Sequence, residues 1–399
     1  MLDIHEALAL ILEHTPPSGE EAVPLDRALG RVLAEVIAAD RDQPAFDRIT
    51  MDGIALANRE WQRGVRRFRS VGVQAAGAEP LRITDGPNCA EVMTGTSLPI
   101  GADLIVPVER TSRDGEEIVV ADTFEPRPGQ FIHRRGSDHP IGSTLMQPGM
   151  MIGAPEIAVL STVGAVEVNV ARRPTIAVIS TGNELVAVDA QPKAFEIRSS
   201  NDRAIEAALR RRGIDGVTRA LLPDDPEILC KEIAALHGNH DVVILSGGVS
   251  MGKYDYVPRV LAELDADVVF HKVRQRPGLP MWFGKSAAGK PIFALPGNPV
   301  STLVCLVRYV IPALSCAMGQ LELTEERVQL ETSVEFEPNL AYLLPVNLVH
   351  DSMGQCLARP QPTNTSGDLA GLAGTDGFIE LSRGPELYPR GFPARMFRW

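Results

Sequence analysis

Basic residues are the first shortage. The 399-residue chain carries 39 lysines and arginines against 51 aspartates and glutamates, a formal net charge of −12. It therefore lacks the positive field that displaces counterions from nucleic acid or from an anionic membrane, and neither is expected as a partner. A small anionic ligand held in a local basic pocket stays compatible with that balance. Aromatic residues are sparse, at 5%. Cysteine is scarce too: Cys89, Cys230, Cys305, Cys316 and Cys356 are scattered, odd in number and never spaced C-x-x-C, which points to reduced, structural thiols. His237 and His240 lie three apart with no third ligand nearby, at a place where a helix should end, and are read as solvated histidines. No positively charged start with an apolar run behind it is present; Met1–His14 reads as a short amphipathic helix. The most apolar stretch, Pro299–Met318, is broken by Arg308 and Pro312 and suits a buried core helix better than a membrane span. Cytoplasmic residence without a transmembrane segment is the expectation.

What is present fits a folded, multidomain chain. Apolar residues make up 44% and charged residues 23%, the balance of a soluble globular protein, and the length exceeds what one hydrophobic core usually serves. Glycine (35) and proline (31) are abundant, which favours short turns and strand-heavy architecture. Asp3 and Glu6 form a capping signal ahead of Ala7–Leu12, and Pro16-Pro17 stops that helix. A second helical pattern runs from Pro24 to about Leu29, followed by β-prone Val32–Ile37. From Phe46 to Gly136, runs such as Arg67–Val73, Ala102–Val108 and Glu117–Phe124 alternate with Gly/Pro turns, a β-rich inserted domain. Pro155–Val163 reads as a helix closed by Gly164. After Arg173-Pro174 the pattern becomes strand and helix in alternation: strands Thr175–Ser180, Val217–Leu222, Val242–Leu245, Val268–Val273 and Ile292–Leu295, with helices between. The fold class expected is multidomain α/β plus β-rich: an elongated N-terminal domain (1–45 and 137–172), the insert (46–136), a central parallel α/β sheet (173–320) and a small C-terminal β domain (321–399).

In an open parallel sheet, ligands bind beyond the carboxyl ends of the strands. Three turns there share one chemistry. Thr181-Gly182-Asn183-Glu184, Ser246-Gly247-Gly248-Val249-Ser250 and Pro296-Gly297-Asn298-Pro299 each combine glycine with hydroxyl or amide groups. Glycine lets backbone N–H groups approach a phosphate, and a following helix N-terminus adds a favourable dipole. Glu184, Asp224, Asp225 and Asp255 gather at the same edge, and carboxylates beside phosphate-binding turns suit Mg²⁺. Asp225 before Pro226 fits an N-cap as well as a ligand role. Lys272, Arg274 and Arg276 would share one side of a strand, facing an oxyanion or solvent.

These turns, in this order, resemble the molybdopterin-binding domain of the molybdopterin molybdenumtransferases, the family of the bacterial MoeA proteins and the gephyrin E domain. Met51-Asp52-Gly53, Met93-Thr94-Gly95 with Gly101-Ala102-Asp103, and Arg134-Arg135-Gly136 with Asp138 resemble the same family's markers upstream. The resemblance implies a homodimer of four-domain subunits whose cleft combines the α/β domain of one subunit with the insert of the other, and a C-terminal small β-barrel. It implies a reaction on adenylylated molybdopterin: molybdate is placed on the dithiolene and AMP leaves, with Mg²⁺ assistance. Glu184, Asp224 and Asp255 would hold the metal or organise the cleavage. Thr181, Gly182, Ser246, Gly247, Gly248, Ser250 and Gly297 would bind pterin and phosphate, while Lys272 and Arg276 neutralise oxyanions. Pro296, Pro299 and Ser366 match the molybdate pocket and its surroundings, Asn298 joins the cofactor-binding set, and Asp52, Thr94 and Asp138 would complete the cleft from the partner subunit.

Four departures stand out. Ile54 follows Met-Asp-Gly where the family has tyrosine, Asn183 precedes Glu184 where it has aspartate, His133 stands beside Arg134-Arg135, and Pro277-Gly278-Leu279-Pro280 has lost the usual lysine. The loss of that cation leaves open an alternative: a catalytically weakened paralogue that binds molybdopterin or finished cofactor and delivers it to a recipient molybdoenzyme. A gephyrin-like scaffold lacks support, since no long linker accompanies the fold.

Overall fold

The computed structural model describes residues 1–249, 256–321 and 325–399. They form two compact units: Met1–Glu35 with Pro148–Ile157 and Val166–Trp399, and Val36–Gln147 with Ala158–Ala165.

The first unit is built on a six-stranded sheet whose strands are β1 (Ile176–Thr181), β2 (Val217–Leu222), β3 (Val242–Ser246), β4 (Asp267–His271), β5 (Trp282–Lys285) and β6 (Pro291–Leu295). Their spatial order is β2-β1-β3-β6-β5-β4, parallel from β2 to β6, with β5 and β4 antiparallel at the far edge. Central strands read as unbroken apolar runs because both faces are covered, and the period of two sorts their side chains. Ile176, Val178, Ile244 and Phe293 enter one core with the N-terminal helix Ile4–Glu13, while Ala177, Ile179, Val243 and Ala294 enter the other. Helices α1 (Asn201–Arg210) and α4 (Pro299–Ala317) pack on the first face; α2 (Pro226–Asn239) and α3 (Val257–Glu263) pack on the second. α4 is long and apolar enough to cross a membrane by composition, but 67% of its most apolar window is buried inside the protein, so it is a core helix. A π-turn at Leu306–Val310 runs through its middle, where Arg308 is fully buried against Glu380.

A closed five-stranded barrel follows. Arg327–Leu330, Ala341–His350, Cys356–Pro360, Gly377–Leu381 and Pro393–Arg398 pair in a ring, with Val328, Leu344, Val346 and Ile379 inside. Closure removes the exposed edges that an open sheet of this size would leave. Gln275–Arg276 adds to the barrel strand Ala341–His350, which fixes the chain just after β4 to the C-terminal domain.

The second unit holds a mixed six-stranded sheet in the order Leu104–Pro107, Gly53–Leu56, Asn88–Val92, Arg67–Gln74, Glu117–Val120, Thr111–Asp114. Two sequence expectations need correction, and one strand was not foreseen. Pro24–Leu29 is no α-helix: Glu20–Pro24 pairs as a strand with Glu167–Ala171, and only a 3-10 turn, Leu25–Arg27, follows. Strand Trp282–Lys285 was hidden by its short Trp-Phe-Gly-Lys stretch between loops. His237 and His240 are half-buried rather than fully solvated: His240 bonds the Leu236 carbonyl and the Thr218 hydroxyl, and burial beside Lys290 pushes His237 below the usual imidazole range.

Candidate active site

The chain runs from β1 outward to β2 and returns to β3 on β1's other side, so a crevice opens beyond the carboxyl ends of β1 and β3. A cleft of about 570 Å³ occupies it. The three glycine turns all reach its wall: Thr181, Gly182 and Glu184 after β1, Ser246, Gly247 and Gly248 after β3, and Pro296, Gly297, Asn298 and Pro299 after β6. Asp224, from the end of β2, joins them, its N–H donating to Asn183 Oδ1 at 3.1 Å.

Glycine is required at the centre of this arrangement. Gly247 has φ +101° and a Cβ there would stand 2.6 Å from the Thr181 carbonyl oxygen; one at Gly248, φ +65°, would stand 2.9 Å from Val257 Cγ2. Gly297 packs against Gly247 so closely that its Cβ would lie 3.3 Å from the Gly247 Cα, which puts two of the turns in contact. The Glu184 carboxylate folds over Gly182, where a Cβ would meet Oε2 at 2.7 Å.

Sequence reasoning missed the residue that ties these turns together. Asn201, first residue of α1, donates from Nδ2 to Ser246 Oγ and to the Gly297 carbonyl, both at 2.8 Å. Ser199 and Ser200 line the cleft beside it, so the ten-residue helix α1 presents its N-terminus to the site. The run Ser199-Ser200-Asn201-Asp202 ahead of a helical pattern was the available signal, an N-cap cluster aimed at the same sheet edge. On the floor, the hydroxyls of Ser180 and Thr181 are buried and have no hydrogen-bond partner among the described residues, an arrangement that a bound polar ligand would satisfy.

A second cleft, about 460 Å³, adjoins the first and shares Pro280, Pro296 and Asn298 with it. Arg276, Leu279 and Ser366 line this one. Ser366 is held at the start of α4: its hydroxyl accepts from Asn298 Nδ2 at 2.7 Å and its carbonyl accepts from the Val300 N–H at 3.1 Å. The turn carrying Arg276 rests on a buried relay in which Tyr309 bonds Gln275 and Gln275 Nε2 donates to the Pro277 carbonyl.

Not every expected residue comes here. Lys272 lines neither cleft; it has φ +77°, ends the strand at His271 and so breaks the alternation expected of Lys272, Arg274 and Arg276. Arg274 and Arg276 are exposed to either side of buried Gln275. Asp225 is an N-cap, accepting from the N–H groups of Glu227 and Ile228. Ser250 and Asp255 lie outside the described residues, and among those described no three His, Cys, Asp or Glu side chains form a metal-binding group. Asp52, Thr94 and Asp138 belong to the second unit. There Asp52 accepts from the Thr94 N–H at 2.6 Å and hydroxyl at 2.8 Å, bonds that hold its carboxyl below the usual range. Asp138 pairs with His133 at 2.8 Å, and strand Arg48–Ile49 runs between the two pairs.

Glycine turns at the switch point of a doubly covered sheet define an α/β domain with a ligand-sized crevice beyond its strand ends, and residues 177–315 match the family model described as a probable molybdopterin binding domain. Residues 2–164 match the MoeA N-terminal region (domain I and II), and residues 327–392 the MoeA C-terminal region (domain IV). Over its full length the chain is 36% identical to the molybdopterin molybdenumtransferase of Synechocystis sp., with 100% of each chain covered. It is 30% identical to that of Staphylococcus epidermidis, covering 98% of this chain and 93% of the relative. The crystal structure of the molybdopterin biosynthesis MoeA protein from Pyrococcus horikoshii superposes with a TM-score of 0.83 at 31% identity, over 100% of this chain and 99% of that one. The chain belongs to the molybdopterin molybdenumtransferase family, and it is an enzyme of molybdenum cofactor biosynthesis.

Proposed function

We propose that the protein inserts molybdenum into adenylylated molybdopterin, consuming molybdate and releasing AMP, as a cytoplasmic homodimer with Mg²⁺ as cofactor. The observation that carries this reading is the convergence of the three glycine turns, α1's N-terminus and two carboxylates on one cleft that continues into a second. The first has the donors for pterin and phosphate; the second, with Arg276 and the Asn298–Ser366 pair, suits an oxyanion such as molybdate. We assign four domains, 1–45 with 137–172, 46–136, 173–320 and 321–399; the matches at 177–315 and 327–392 fall inside the last two.

The residues present fit Mg²⁺, which takes one or two carboxylates and completes its shell with water and substrate oxygens. Glu184 and Asp224, with Asp255 as a third candidate, would hold it, and when bound it supplies positive charge where a phosphoanhydride gathers negative charge. The chain's own work is positioning. Backbone N–H groups at the start of α1 bind phosphate oxygens, the glycine turns let the ligand approach closely, and the hydroxyls of Ser180, Thr181 and Ser246 take its polar atoms. Asn201 keeps the second and third turns in register. Asp52, Thr94 and Asp138 would close the cleft from the partner subunit. Little covalent chemistry is left to the side chains in such a cleavage.

One observation favours the second reading. Leu279, standing where the family has lysine, lines the second cleft and presents an alkyl group to it. A protein of that kind would retain the pterin or finished cofactor and pass it to a recipient molybdoenzyme. Purified protein incubated with adenylylated molybdopterin, molybdate and Mg²⁺ decides between them: catalytic AMP release with molybdenum in the pterin is expected, and stoichiometric retention of ligand without AMP would overturn insertion in favour of carriage.

A further inference from the structure

A cavity of about 520 Å³ in the first unit shares no residue with either cleft. Arg31, Arg173, Arg210, Arg211 and Arg212 stand on its wall and no acidic residue does, although Glu21, Asp215 and Glu206 pair with Arg31, Arg173 and Arg210 from beyond it. That is a local reversal of the chain's net charge of −12. The three consecutive arginines close α1, where cations complement the last carbonyls, but Arg31 and Arg173 arrive from separate segments and that role does not explain them. Arg31 is only 7% exposed; one end bonds Glu21 and the Ala171 carbonyl, while its Nε is buried with no hydrogen-bond partner among the described residues. Arg173 lies across Gly213, where a Cβ would come within 2.5 Å of Nη2. Arg212 donates to the carbonyls of Ala208 and Arg398, and among the described residues neither it nor Arg211 has a carboxylate partner. Burial and the neighbouring cations, Arg31 for one and Arg211 for the other, push Arg173 and Arg212 below the usual guanidinium range. Leu29, Val32, Ile214, Ile311, Leu314 and Met318 complete the wall.

We propose that this cavity is a second ligand site, remote from the active cleft, for a small organic phosphate with an apolar body. Guanidinium groups recognise phosphate bidentately, and an anion supplies the counter-charge that Arg211 and Arg212 lack while the aliphatic wall takes the apolar part. The test titrates the full-length protein with 1-naphthyl phosphate, with inorganic phosphate and 1-naphthol as controls. Saturable 1:1 binding is expected, much tighter than either control, and weakened about tenfold or more in Arg211→Ser/Arg212→Ser, as loss of charge-assisted bonds implies. Leu29→Asp, which places a negative charge at the exposed rim without touching α1, should weaken it comparably and guards against misfolding of the double variant. Asn201→Ala, in the active cleft, should leave it unchanged. Binding that the arginine variant leaves intact, or that Asn201→Ala abolishes, overturns the proposal. So does the absence of probe binding accompanied by a change of oligomeric state in the arginine variant, which would make the wall a subunit contact.

Discussion

Replacing Asn201 separates the two tasks assigned to the mouth of the cleft. Its amide donates two bonds of 2.8 Å, to Ser246 Oγ and to the Gly297 carbonyl, and so joins the turns after β3 and β6. A net 0.5–1.5 kcal/mol for each gives about 1–3 kcal/mol lost in Asn201→Ala. If all of it must be restored when ligand reassembles the turns, affinity for molybdopterin falls by up to roughly a hundredfold. Thermal stability should fall with it by a few degrees. Asn201→Asp keeps the size of the side chain but turns an acceptor toward the Gly297 carbonyl and adds a negative charge at the N-terminus of α1. That charge suits the helix and opposes a bound phosphate. The aspartate variant should therefore lose affinity out of proportion to its loss of stability, whereas the alanine variant loses both together. Titration of molybdopterin followed by pterin fluorescence, with melting curves of the same samples, reads both quantities. Equal affinity in the aspartate and alanine variants would refute the placement of an anion at this helix end.

Restoring a cation with Leu279→Lys should tighten molybdate binding about tenfold, the worth of one charge-assisted bond, as read by equilibrium dialysis; unchanged affinity removes that side chain from the oxyanion site. Arg308 has no exposed side-chain surface and pairs with Glu380 at 2.6 Å, so Arg308→Met leaves a buried carboxylate with only His5 Nε2, at 3.3 Å, and should cost about 3–5 kcal/mol in denaturant unfolding. Arg308→Met/Glu380→Met should recover most of that, and a single variant as stable as the parent contradicts the pairing. Asp241 receives both Arg172 nitrogens, the Thr175 N–H and its hydroxyl, which hold its carboxyl well below the usual range. Because the folded value is depressed, the stabilisation is complete above the unfolded value near 3.9 and disappears as pH falls through the folded one. Asp241→Asn should thus cost about 1–2 kcal/mol at pH 6, discounted for a side chain one-third exposed, and the deficit should shrink below about pH 4. A deficit independent of pH would rule out the charge as its source.

What could be read from the residues followed their periodicity. Strands β1, β3 and β6 were legible because burial on both faces leaves no polar position in Ile176–Ile179 or Val242–Leu245, and the turns behind them because only glycine tolerates the backbone at Gly247 and Gly248. The N-terminal helix was legible from its cap, since the Asp3 and Glu6 side chains close a reciprocal pair of local bonds. Pro24–Leu29 failed because Pro24 ends strand Glu20–Pro24, whose partner Glu167–Ala171 lies far along the chain, and that long-range ladder leaves only a 3-10 turn, Leu25–Arg27, of the short helical pattern. Lys272 failed for a different reason. Alternation assumes a continuous strand, and a left-handed residue at its end redirects every side chain beyond it.

The site itself was legible as a set of turns but not as a joined structure. The turn after β3 announces its own backbone demand, positive φ at Gly247 and Gly248, which is local and therefore written in adjacent residues. The bonds that join the turns come from Asn201, which reaches Ser246 and Gly297 across 45 and 96 positions of sequence. Nothing in the spacing of an asparagine at a helix start distinguishes a cap from a bridge; the difference arises only when parallel strands bring their carboxyl ends to one edge. Leu279 shows the converse. As a substitution it was visible at once, but its meaning depends on the wall it joins, and that wall also contains Arg276, held in place by the barrel strand Ala341–His350. The cation that remains is thus anchored from a different domain than the turns proposed to hold phosphate. Changes in the barrel should therefore alter oxyanion affinity before they alter pterin affinity.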